Sequence, residues 1–170
     1  MNALPFALPP EPLARRLDAF HRRQEIVWLG LSGRFEDGGT AAVRFERLTP
    51  GHLGGGGTDA LNGGLIATGF DAACVLAALG HVETEVVATL TLQMQYLRLA
   101  MASPALVFRA GVLKAARSVV FVEAVLEDRS RSGDALAVAH ATLTPVRPRS
   151  PRLPMPESAA LADRAGPLSA

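Results

Sequence analysis

The side chain in this sequence best placed to do chemistry is Asp71. It is the only charged residue in the stretch NGGLIATGFDAACVLAAL, residues 62–79, which is otherwise apolar on every side. Burying an unpaired carboxylate is costly, so a lone one in such a segment points to a general base or a nucleophile rather than a solvated surface charge. The same stretch opens with Gly63-Gly64. At a helix start the backbone N–H groups are unpaired and the macrodipole is positive, so an oxyanion can be held there without any side chain. Glycine also lets a carbonyl approach closely. Gly63 and Asp71 are eight residues apart, about 12 Å at the α-helical rise. One carbonyl cannot touch both groups of a single helix.

Other reactive side chains have blander roles. Cys74 follows Asp71 by three residues and reads as a small core residue, not a nucleophile. His21, His52, His81 and His140 are scattered without metal-ligand spacing.

The elements that must position Asp71 follow from periodicity. Residues 1–10 are a proline-rich arm. Residues 11–24 place Leu13, Leu17 and Phe20 on one face of a surface helix. A strand is expected over residues 25–35, with Val27, Leu29, Leu31 and Phe35 on one side. Asp37-Gly38 gives a two-residue hairpin, and a return strand runs to about Leu48. Residues 49–61, with four consecutive glycines, are a loop. After the apolar helix the period changes to two, giving strands over residues 84–99, 105–116, 117–128 and 135–146. Residues 147–170 are a Pro/Arg-rich tail with at most a short helix near 157–164. The fold class is α+β: an antiparallel sheet of about six strands wrapped around one long central helix, in a single domain over residues 11–146.

Composition narrows the function. With 17 basic against 16 acidic side chains the net charge is +1, which gives no electrostatic footprint for nucleic acid or an anionic membrane. Hydrophobic residues make up 49% of the chain but aromatics only 5%, so the core is built from Ala, Val and Leu, which suits close packing of helix on sheet. A single cysteine forms no internal disulfide, and no secretory signal pattern opens the sequence, so a cytoplasmic location is the default. Residues 61–80 do not read as a membrane span. Asp71 would lie at the bilayer centre, and amphipathic strands flank the segment.

Residues 43–146 resemble the hotdog-fold thioesterase superfamily, and within it the PaaI-like acyl-CoA thioesterases. The run LNGGLIATGFDAA, residues 61–73, is similar to the family's "HGG…D" helix start, with the carboxylate at the family's spacing. The strand VATLTLQMQYLR, residues 87–98, resembles the strand after that helix. Ala116-Arg117-Ser118 sits where the family tends to have a Gly-Arg turn, and residues 137–144 look like its closing strand. Two positions depart from the pattern. Asn62 replaces the usual histidine, and Gly56 stands where some members carry an Asn or Gln that helps place the nucleophile.

The resemblance implies hydrolysis of an acyl thioester, with acyl-CoA as the substrate. Asp71 would activate water or form an anhydride as nucleophile, and the Gly63 amide would hold the oxyanion, with Asn62 and Gly64 beside it. Thr89 stands where related enzymes place a Ser or Thr that holds water or the carboxylate. Arg98, Arg117 and Ser118 would meet coenzyme A, the arginines through its phosphates. No metal or organic cofactor is implied. Family members pair their helices antiparallel at a dimer interface, which agrees with the separation of Gly63 and Asp71: donor and carboxylate would come from different subunits. A homodimer is therefore expected, or a tetramer built as a dimer of dimers, with no nucleic-acid or membrane partner. Two alternatives stay open. A hotdog enoyl-thioester hydratase or dehydratase would want a histidine beside the aspartate, for which only His52 lies in a plausible loop. A non-catalytic acyl-CoA-binding protein would suit Asn62 and Gly56.

Overall fold

The computed structural model describes residues 2–54, 57–131 and 134–146. Gly56 and the tail 147–170, with its expected short helix, lie outside the described residues. In chain order the elements are α1 (Pro10–His21), α2 (Gln24–Trp28), β1 (Leu31–Glu36), β2 (Thr40–Phe45), a 3-10 turn (Pro50–His52), α3 (Gly63–Leu79), β3 (Val86–Tyr96), β4 (Leu106–Ala115), β5 (Val120–Asp128) and β6 (Ala135–Val146). The six strands form one sheet in the order β1-β2-β4-β5-β6-β3, and every neighbouring pair is antiparallel. α3 packs against this sheet, which is the hotdog arrangement.

Close approach of helix and sheet depends on small residues. A Cβ on Gly69 of α3 would lie 2.3 Å from the ring of Phe108 on β4. That ring is fully buried and meets Phe70 and Phe45 edge-on, at centroid distances of 5.3 and 6.1 Å. Overpacking at this junction would push the helix off the sheet.

Three local expectations change. Residues 25–35 do not form one strand: Gln24–Trp28 is a short helix, and β1 begins only at Leu31 after Gly30, whose φ is 62°. Val27, expected inward, is 65% exposed. The hairpin pairs Glu36 with Thr40, so its turn has three residues rather than two, with both Gly38 and Gly39 at positive φ. The N-terminal arm is laid against the body. Leu4 N–H donates to Val112 O, Ala7 and Leu8 N–H to Gly80 O, and Phe6 packs edge-on to Phe35 at 4.8 Å.

The helix α3 is not covered all round. Ile66, Gly69, Phe70 and the whole run 72–79 are buried. Gly64, Leu65, Ala67, Thr68 and Asp71 are exposed or half-buried. Positions 64, 67, 68 and 71 recur at i, i+3, i+4 and i+7, so they form one stripe. The sheet leaves that flank of the first two turns open, beside β3. β3 is itself an edge strand, with no strand on its outer side among the described residues.

Candidate active site

Asp71 is half-buried on the open flank of α3, and one of its carboxylate oxygens accepts a 2.6 Å hydrogen bond from the hydroxyl of Thr89 on β3. The structure thus brings together two of the residues singled out from the sequence. A hydroxyl that donates to a carboxylate fixes which oxygen stays available and in what direction. Cys74, one turn further on, is fully buried. Burial first, and then the negative charge of Asp71, pushes its thiol far above the ordinary cysteine range, so it forms no thiolate nucleophile.

The start of α3 is built differently from its middle. Asn62 is the N-cap, and its side-chain oxygen accepts from Gly64 N–H at 2.8 Å. The amides of Leu65 and Ile66 donate to Asn62 O. Gly63 N–H has no partner among the described residues. Of the two glycine amides, Gly63 alone is left to meet an incoming oxygen, because the Asn62 cap occupies Gly64. Asn62 works through the backbone; it has no imidazole chemistry to offer.

Sequence reasoning missed Tyr96. Its hydroxyl donates to Gly63 O at 2.8 Å, and it lines a cavity of about 380 Å³ with Leu61, Gly63, Ile66, Leu99 and Ala100. In an unbroken strand Thr89 and Tyr96, seven residues apart, would face opposite sides of the sheet. A β-bulge between Thr89 and Thr91 inserts Leu90 as an extra residue. Its effect is that Thr89 pairs with Leu143 and Tyr96 with Ala137, both of which point into the core. Nothing in the alternation of residues 84–99 marks that bulge.

The two arginines expected to meet coenzyme A phosphates line different cavities of the chain. Arg98 lines the cavity at Gly63 and is ion-paired with Asp134. Arg117 and Ser118 sit at the β4–β5 turn, lining an open cleft of about 1020 Å³ with His81, Thr84 and Thr144 at the far end of α3. The histidines do not converge on Asp71. His52, on which a hydratase would depend, receives Thr49 N–H on Nδ1 at 3.0 Å and stacks edge-on against Phe45. His21 accepts from Gly33 N–H, His140 is exposed, and burial holds His81 below the ordinary histidine range. Among the described residues no group of three or more His, Cys, Asp or Glu could hold a metal ion, and no helix is long and apolar enough to cross a membrane.

Comparison with known proteins bears on these elements. The model of the Thioesterase superfamily matches residues 59–134, from the loop before α3 to the residue preceding β6. No curated protein matches the chain. A thioesterase family protein from Silicibacter pomeroyi is 26% identical, with a TM-score of 0.67 over 78% of this chain and 96% of that one. The Escherichia coli PaaI protein of the phenylacetic acid degradation operon has the same fold, with a TM-score of 0.69 at 16% identity over 81% and 95% of the two chains. Zebrafish thioesterase superfamily member 2 gives 0.64 at 17% identity, covering 82% of this chain and all (100%) of its own. The family match spans the helix with Asp71, the bulged strand and both arginine positions, on a sheet shared with these structures. Over residues 59–134 the chain is similar to the Thioesterase superfamily, and its fold is the hotdog fold of these structures, a likeness that supports thioester hydrolysis in general.

Proposed function

We propose that the protein hydrolyses acyl-CoA thioesters and that its active unit is at least a homodimer. In this mechanism the thioester carbonyl oxygen lies on the Gly63 amide of one protomer. Asp71 of the other protomer activates water, or attacks directly, at the carbonyl carbon. Negative charge developing on the oxygen meets an N–H already pointing outward at a positive helix end, so no donor has to be freed during reaction. Thr89 holds the carboxylate in line. The C–S bond breaks and coenzyme A leaves as the thiol with a proton from water; the acyl group leaves as carboxylic acid, on the direct route after a water hydrolyses the acyl-Asp71 anhydride.

The observation that carries this proposal is the pairing of Asp71 with Thr89 on the open flank of α3, about 12 Å from the unspent Gly63 amide. Each chain holds both halves of a site, set too far apart to act on one carbonyl. A second copy in antiparallel orientation closes the gap twice, once at each end. The midpoint between Gly63 and Asp71 is Ala67, so the twofold axis passes beside that small, half-buried residue. The unpaired edge of β3 lies on the same side and can continue the sheet into the partner.

Thiol release from a panel of acyl-CoAs tests the activity. Purified wild type is expected to turn over at least one acyl class, and Asp71→Asn to lose that turnover. Undiminished hydrolysis by Asp71→Asn would remove Asp71 from the mechanism.

A further inference from the structure

Two consecutive glycines give the start of α3 more backbone freedom than any other pair of residues would, yet a donor that stabilises an oxyanion works only if its direction is fixed beforehand. The structure supplies the constraint. Gly63 O and Gly64 N–H are the two ends of one peptide unit. Asn62 Oδ1 accepts from its N–H at 2.8 Å, and Tyr96 OH donates to its oxygen at 2.8 Å. A peptide plane gripped at both ends cannot turn about ψ of Gly63 or φ of Gly64, and the Asn62 bond closes a ring that also runs through φ of Gly63, which restrains the direction of the preceding N–H. The tyrosine ring also lies against Gly63 itself. A Cβ there would come within 3.2 Å of its hydroxyl and 3.4 Å of Cζ, so position 63 is tight for any other residue.

We infer that Tyr96 is a positioning residue of the thioesterase reaction: with Asn62 it clamps the Gly63-Gly64 peptide and so aims the Gly63 amide at the substrate carbonyl. This rests on the acyl-CoA hydrolysis proposed above. The role depends on the bulge at Leu90, which turns Tyr96 to the α3 side of β3 together with Thr89. One edge strand thereby holds both halves of the site, the carboxylate through Thr89 and the donor through Tyr96.

The test is Tyr96→Phe, which keeps the ring and removes the hydroxyl, run beside wild type and Asp71→Asn. A lost hydrogen bond of ordinary strength predicts a kcat lower by about 3- to 10-fold, with KM changed by less than about twofold because ground-state binding is untouched. Amide ¹H–¹⁵N signals of Gly63 and Gly64 should shift, while the thermal midpoint stays near that of wild type. A Tyr96→Phe protein with wild-type kcat overturns the inference, even where Asp71→Asn is inactive and the hydrolysis itself stands. A wild type that releases no thiol defeats the proposed function. The clamp is then judged on the amide signals alone, and unshifted Gly63 and Gly64 signals in Tyr96→Phe overturn it as well.

Discussion

The division of each site between two subunits can be tested by complementation, because both halves can be removed separately. Gly63 contributes a backbone N–H, and proline is the substitution that deletes it. Position 63 is the first residue of α3, where proline's fixed φ is welcome and the missing N–H belongs to no helical bond. Asn62 before it is extended, at φ −61° and ψ 134°, as a residue preceding proline should be. Against this stands the Tyr96 ring, whose hydroxyl and Cζ would lie 3.2 and 3.4 Å from the new Cβ and must yield by a few tenths of an ångström. Gly63→Pro should therefore fold, and should lose about 10²- to 10³-fold in kcat, the usual effect of removing one oxyanion donor. Asp71→Asn should be inactive through the other half. When the two variants are co-expressed in equal amounts and pair at random, about half the dimers are mixed. In each mixed dimer one site carries both lesions and the other carries neither. About a quarter of all sites are then intact, and thiol release should recover to about a quarter of the wild-type rate. Two affinity tags allow the mixed dimer to be isolated, where recovery should reach about one half. If donor and carboxylate act within one chain, no combination of these variants contains an intact site. A mixed dimer no more active than its parents would refute the arrangement.

Three more outcomes follow from the same geometry. Thr89→Val keeps the shape but removes the 2.6 Å bond to Asp71; for a partly exposed charged acceptor the loss is about 1–2 kcal/mol, or about 5- to 30-fold in kcat/KM, and an unaltered value would show the carboxylate needs no support. Ala67→Arg places a long cation where the twofold axis should run, so sedimentation should show monomers without thioesterase activity, and an active dimer would move the interface elsewhere. His81 is held below its ordinary value by burial. As pH falls below about 6.5 the unfolded chain takes up a proton that the folded one still refuses, so stability declines until the pH passes the folded value. The urea midpoint of wild type should therefore fall between pH 7.5 and 5.5 more than that of His81→Gln, and equal slopes would contradict the assignment.

The sequence disclosed most where one physical requirement dominated. A run of apolar residues interrupted by one carboxylate reads as a core helix, and α3 begins one residue after the expected start, with Asn62 as its cap. Period-two alternation located β3 to β6, β6 at both of its ends. Periodicity failed where alternation and helix pattern overlap: residues 24–28 are too few to separate the two, and Gly30 hides the boundary. It failed again at Leu90, since an extra residue in a strand changes the facing of everything after it without altering composition. Tyr96 was invisible for that reason. The separation of Arg98 from Arg117 depends on which strand ends lie together, and that is set by the order β4-β5-β6-β3 rather than by position along the chain.

In the proposed mechanism that strand order would bind chemistry and assembly together. β3 follows α3 directly but crosses to the far edge of the sheet, beyond β6, so among the described residues its outer side has no partner strand. An exposed edge is a hazard for aggregation unless something covers it. On its inner side the same strand carries Thr89 against Asp71 and Tyr96 against Gly63. A second copy seated on that edge would cover the hazard and, in the same movement, bring each carboxylate to the other chain's amide. Were the site complete in one chain, β3 could be shielded by any loop without consequence for hydrolysis. With the two halves about 12 Å apart on one helix, a cover that would also complete the proposed site is the matching strand and helix of an identical chain.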